Sequence, residues 1–190
     1  MKKSLYFFMG KKKIFEILRI SFLVFLGVIL RLLPHPPNFV PIAALALFGG
    51  AYLNKKYFWM VPLLAMWISD YFIGAYEPKL MIAVYGSFGI ISLIGLFLRK
   101  RKNPGIVLSG SVISSFLFFL ITNAAVWAFT PWYPKDFSGL LLSYTLALPF
   151  LKNTILGDLF YTSLFFGVWE VYLKRDKLLY YLKPKFAAIK

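Results

Sequence analysis

The residues of this chain whose types could do chemistry are few. His35 is the single imidazole and stands among Pro34, Pro36 and Pro37. Asp70 lies in the run WISDYF and Asp158 in NTILGD, both inside strongly apolar stretches. Asn38, Asn123, Trp127 and Asn153 complete the set of polar or aromatic groups that interrupt such stretches. Metal-assisted hydrolysis fits poorly, because one histidine and scattered acids do not make a ligand cluster. The chain has no cysteine, which excludes disulfides, thiolate metal sites and thiol catalysis. No serine–histidine–acid pattern, glycine-rich phosphate loop or nucleotide motif stands out. No catalytic residue, metal ligand or resident cofactor is expected, and the chain is not expected to be an enzyme. The chemistry on offer is recognition.

These residues must be positioned by an apolar scaffold. The chain has 190 residues, 60% hydrophobic and 20% aromatic, with mean hydropathy +0.72. Its long apolar runs approach or exceed the roughly 18–20 residues that cross a bilayer. An all-α membrane protein is expected. A basic tail, residues 1–13, precedes a first segment from about Ile14 to Leu33, which is not followed by a cleavage site of the signal-peptide kind. Further segments run from about Pro37 to Leu53, Tyr57 to Gly74, Leu80 to Leu98, Pro104 to Phe129 and Asn153 to Leu173. Gly139 to Phe150 reads as a short interfacial helix, and residues 174–190 as a second basic tail. Pro34, Pro36, Pro37 and Pro41 fix their own φ and disfavour helix just before them, so the start of the second segment is a stiff, non-helical crossing.

The formal net charge of +15 could suggest nucleic acid, but its placement argues for topology. With the N-terminus inside and six spanning segments, Arg31, Lys79, Lys135 and Lys152 fall outside and the other 18 of the 22 Lys and Arg fall inside. That asymmetry is the positive-inside rule. Six transmembrane helices with both termini in the cytoplasm are expected, with the inner basic blocks touching anionic lipid.

In this orientation the polar residues gather toward the outer face. Asp158 follows Asn153 by five residues, roughly 7–8 Å deeper at 1.5 Å per residue. Acids within membrane segments are costly, so they are functional candidates by default. Plainer readings stand beside each one. Asp158 could pair with Arg31 or Lys152, Asp70 could cap a helix, and Asn123 could make an interhelical hydrogen bond. His35 could be a solvated loop residue, Trp127 part of an interfacial belt, and the glycines (Gly49, Gly50, Gly86, Gly89, Gly95 and Gly157) packing contacts. Convergence on one side favours a pocket under the Pro34–Asn38 and Trp132–Pro134 loops.

The runs RLLPHPPNFVPIAALALFGGAY, VPLLAMWISD, FFLITNAAVW and PFLKNTILGDLFYT resemble an uncharacterised bacterial family of membrane proteins to which transport is attributed. That family is in turn similar to the substrate-binding S components of energy-coupling factor (ECF) vitamin transporters, solitary cobalamin-type ones included. The resemblance covers about Arg31 to Phe166. It implies a six-helix S-component-like bundle in the bacterial inner membrane that captures a vitamin-like molecule, a cobalamin among the options, from outside. It also implies an ECF energising module as partner, and pocket residues His35, Asn38, Asp70, Asn123, Trp127, Asn153 and Asp158. Two features depart from the pattern. The first segment offers only Ser21 and Gly27 as small residues for docking a coupling protein, and a corrinoid could meet no imidazole except His35. The alternative reading is a proton-coupled carrier or membrane enzyme using Asp70 and Asp158.

Overall fold

The computed structural model describes residues 2–182, with side chains for residues 13–175. Met1 and residues 183–190, the end of the expected basic tail, lie outside the described residues. Among the described residues there are six α-helices and no strand: α1 (Lys2–Leu32), α2 (Ile42–Tyr52), α3 (Met60–Ile73), α4 (Pro78–Leu98), α5 (Pro104–Phe129) and α6 (Phe137–Leu182). The stretches read as tails are continuous with α1 and α6 as far as they are described.

Three helices are long and apolar enough to cross a membrane: α4, α5 and α6 over Phe137–Arg175. In α1 the apolar run is interrupted by Glu16, Arg19 and Arg31. α2 and α3 have 11 and 14 residues. At 1.5 Å per residue these are roughly 16 and 21 Å long, short of a hydrocarbon core of about 30 Å. The second segment, expected from Pro37, becomes helical only after Pro41.

The interfacial helix expected at Gly139–Phe150 and the separate segment from Asn153 are one 46-residue helix that runs through Pro149. Proline in a helix interior removes a hydrogen bond to residue i−4 and costs ~3 kcal/mol. Packing against α5 offsets this on both sides of the proline. Ala147 and Leu151 bury against Phe119, and the Tyr144 ring lies 5.5 Å from that of Phe119. Asp136 starts α6: its Oδ1 accepts from the Gly139 N–H at 2.7 Å and from the Ser138 hydroxyl at 2.8 Å. This is an N-cap satisfying donors that the first turn leaves free. These bonds, Gly139 first, hold the Asp136 carboxyl below its ordinary range.

The centre of the bundle is α2, in which every residue from Ile42 to Ala51 is buried. A helix apolar on all faces has to be enclosed. It lies on α4, with α6, α3 and α5 around it. Its last turn fits because two glycines meet. A Cβ on Gly50 would come within 2.3 Å of the Ser92 carbonyl oxygen, and one on Gly95 within 2.4 Å of the Leu47 carbonyl oxygen. Gly49 and Gly157 also make close contacts, to Phe58 and Phe39, whereas Gly86 and Gly89 face open space and pack nothing within the chain. The C-terminal carbonyls of α2 are taken by Arg99, which donates to Gly50 O at 2.7 Å and to Leu53 O at 2.5 Å. A cation there also suits the helix dipole.

Gly50→Ala or Gly95→Ala is expected to lower stability by about 1–3 kcal/mol through overpacking, while Gly86→Ala leaves it unchanged or raised. Thermal unfolding of the detergent-purified variants measures this. Equal melting temperatures for all three would remove the close α2–α4 approach from the account.

Candidate functional site

Between α1 and α2 the chain runs without helix and is exposed from Leu33 to Asn38. Leu33–Pro41 contains four prolines in nine residues and so carries five backbone N–H groups. Leu33 N–H reaches Ile29 O, and Phe39 N–H reaches Pro36 O, both at 3.0 Å. The N–H groups of His35, Asn38 and Val40 have no backbone partner among the described residues. Asn38 has φ +63°. With Pro37 before it and the Phe39-to-Pro36 bond closing the loop, this is a type II turn, whose third residue must take a positive φ. Asparagine tolerates that region better than most residues. The turn therefore turns Asn38 toward open space rather than into the core.

Three cavities adjoin there, of about 280, 240 and 30 Å³, and each is lined by both Asn38 and Phe118. The first lies against Arg31, His35, Met66, Tyr76 and Phe88. The second lies against Thr122, Asn123, Phe150 and Thr154. The small one lies against Val40, Ala43, Phe88, Thr154 and Asp158.

One wall is fixed by an ion pair. Arg31, at the end of α1, places Nη2 2.6 Å from Asp70 Oδ1 on α3. The other Asp70 oxygen accepts from the Tyr85 hydroxyl of α4 at 2.7 Å. Arg31 Nη1 also donates to Ser69 Oγ and to Met66 O. Asp70 is 5% exposed, so it is buried with its charge matched. Tyr76, in the α3–α4 turn, is pushed up to about 12, first by burial and then by the Asp70 charge, so its phenol stays neutral.

Asp158 differs. It is 2% exposed, and Ser115 of α5 donates to its Oδ2 at 2.6 Å. The pairing with Arg31 or Lys152 weighed from the sequence does not form, and Asp158 has no ion pair among the described residues. Below it lies a run of buried hydroxyls, in which Thr162 donates to Ser111 Oγ at 3.2 Å.

Of the residues named from the sequence, His35, Asn38, Asn123 and Asp158 line the cavities. Asp70 stands behind the wall, engaged by Arg31 and Tyr85. His35 lies with Nδ1 2.9 Å from Pro36 O in its own loop and Nε2 3.0 Å from Arg31 O at the end of α1, so both ring nitrogens face backbone carbonyls. Asn123 makes no interhelical bond: its amide donates to Phe119 O one turn back, at 2.8 Å. Trp127 does not line these cavities, because its indole N–H donates to Pro134 O at 2.9 Å and Lys135 donates to the Trp127 and Thr130 carbonyls. The Trp132–Pro134 loop thus closes onto α5 instead of covering the pocket. Asn153 is half-buried and lines none of the three, whereas its neighbour Thr154 lines two. Thr154 could have been found from its i−4 spacing to Asp158, which puts both on one face. Tyr85 and Phe118 had no such signal. Among the described residues no group of acids and histidines could hold a metal ion.

Among the described residues the protein is all-helical, with three helices long and apolar enough to cross a membrane and a polar-lined recess beside the break between α1 and α2. A family model described as "Family of unknown function (DUF6580)" matches residues 11–180, and the chain belongs to that family. No curated protein and no solved structure matches it.

Removing one partner of the buried Arg31–Asp70 pair, by Arg31→Met or Asp70→Leu, is expected to cost about 3–5 kcal/mol because the other charge is stranded. The double substitution is expected to recover most of that loss. Unfolding midpoints of the three variants test this, and strictly additive losses would contradict it.

Proposed function

We propose that this chain is a membrane-embedded binding component that captures a small, vitamin-like molecule from the outer side of a bacterial inner membrane. In this reading the six apolar segments span with both termini inside, and α2 completes its crossing through the extended Leu33–Pro41 stretch. Non-helical backbone at membrane depth is tolerated where it is buried or lines a wet cavity. The observation that carries the proposal is the meeting of three cavities at Asn38, with polar walls from α1, α3–α4, α5 and α6. Ligand pockets lie at points where several elements converge few polar groups on an apolar recess.

The sizes favour a compact ligand. Cavities of about 240 and 280 Å³ lie at or below the lower end of the ~300–1,000 Å³ usual for small-molecule sites. A molecule of one or two rings suits them better than a corrinoid. His35 holds both ring nitrogens within 3.0 Å of backbone oxygens, so in this geometry neither is directed at a bound cobalt. The likeness to ECF S components supports capture more than it supports a shared energising module. Gly27, one of two small residues of the first segment, is turned inward, where a Cβ would meet Leu45 at 2.6 Å and Ala65 at 3.1 Å. The alternative of two proton-carrying acids is weakened by Asp70, which is spent on Arg31 and Tyr85.

Protein purified in mild detergent is expected to carry a small molecule detectable by mass spectrometry, and to be stabilised by at least one member of a panel of water-soluble vitamins. Asn123→Ala, and Asn38→Gly, which keeps the positive φ, are each expected to weaken that binding roughly tenfold, as loss of one hydrogen bond of ~1.4 kcal/mol would. Absence of any bound or bindable vitamin would sink the proposal.

A further inference from the structure

The bundle holds two buried acids on opposite terms. Asp70 has its counter-charge in Arg31 and a second donor in Tyr85. Asp158 is the more deeply buried and has one neutral donor, Ser115, on one oxygen. Oδ1 has no hydrogen-bond partner among the described residues, and no described cation pairs with either oxygen. Burying a carboxylate is tolerated when it is paired or fully bonded, and an acid set inside an apolar helix bundle marks a site. Yet this acid lines a cavity that shares Asn38 and Phe118 with both larger ones. Asp158 therefore borders the same recess as the two larger cavities.

The surroundings indicate what partner Asp158 would take. The Phe88 and Phe118 rings stack with centroids 5.1 Å apart, and both residues line the largest and the smallest of the three cavities. Aromatic faces beside a carboxylate attract a cation by its charge and by the ring quadrupole. Asn38 and Thr154 add polar side chains to the same small cavity. An anionic ligand group would instead meet an uncompensated carboxylate, because Arg31, which lines the adjoining cavity, is already committed to Asp70.

We propose that Asp158 is the recognition point for a cationic nitrogen on the captured molecule, so that the ligand class is a compact organic cation. This rests on the capture reading above.

The test uses the full chain and matched probes. Thiamin and pyridoxamine carry a cationic nitrogen. Pyridoxine replaces the amine of pyridoxamine with a hydroxyl, and nicotinate and biotin are anions. Binding is followed by thermal shift and by titration calorimetry. Pyridoxamine or thiamin is expected to bind, pyridoxine at least tenfold more weakly than pyridoxamine, and Asp158→Asn to lose at least tenfold for the cations. The pyridoxamine–pyridoxine comparison in the native sequence keeps the test valid if Asp158→Asn does not fold. Binding of an anionic or neutral member with the cations inert, or undiminished cation binding by folded Asp158→Asn, overturns this inference while leaving capture standing. Stabilisation by Na⁺ over K⁺ with no response to any amine overturns it in favour of a metal-cation site. No binding by any probe and no co-purified molecule fells the capture reading and this inference together.

Discussion

Backbone donors that leave a helix have to be satisfied, removed or left to open space, and Leu33–Pro41, exposed as far as Asn38, shows all three. Four prolines eliminate the N–H groups that an extended strand of this length would leave unpaired. One turn bond, from Phe39 to Pro36, takes up another. The remaining free donors lie where the chain borders open space, so the non-helical crossing and the cavities require each other. The neighbouring elements are fitted to that crossing. Arg31, just before it, ties α1 to α3 through Asp70, Ser69 and Met66. Phe39, just within it, packs on Gly157 and against the rings of Phe160 and Tyr161 of α6. Pro41 then starts a helix with no exposed face.

The two ends of the bundle are built from different chemistry. Around the end of α2, cations meet carbonyls and ring faces: Arg99 on the last α2 turn, Lys102 4.0 Å from the Tyr52 ring centre, and Arg19 5.6 Å from that of Trp169. Tyr52 itself donates to Glu170 at 2.7 Å. These contacts do not close that end: Arg19, Tyr52 and Trp169 border a mostly apolar cavity of about 330 Å³. At the other end the polar groups are amides, hydroxyls and phenols arranged around space, with one acid neutralised and one not. That contrast in polarity sets the Asn38 recess apart, and the proposed recognition role of Asp158 rests on it.

Much of this was legible from residue types alone. Prolines act locally, so the stiff crossing at Pro34–Pro41 and the positions of Asn38 and His35 in it could be read directly. Helical apolar runs are equally local, and α3, α4 and α5 follow them within a few residues, whereas α1 and α6 extend well beyond theirs. What could not be read depends on contacts far apart in the chain. Arg31 and Asp70 are both visible, but nothing local says that they meet and so spare Asp158. Pro149 with Lys152 and Asn153 looks like a break, and only packing against Phe119 carries α6 through it. Asn153 and Thr154 differ by one residue, which on a helix is a rotation of about 100°, and that rotation decides which of them reaches the cavity. Trp127 was judged by its level along α5, yet its partner in the following loop fixes where it points.

The central claim is that the recess around Asn38 is wet and open on the outer face. The chain has no cysteine of its own, so Asn123→Cys introduces a single reactive thiol on a cavity wall. Intact cells are treated with a membrane-impermeant maleimide, with Lys55→Cys in the α2–α3 turn as the opposite-side control. The account predicts that Asn123→Cys is labelled without permeabilisation and Lys55→Cys only after it. Labelling of Lys55→Cys in intact cells, or an Asn123→Cys thiol that reacts only after permeabilisation or not at all, would contradict it.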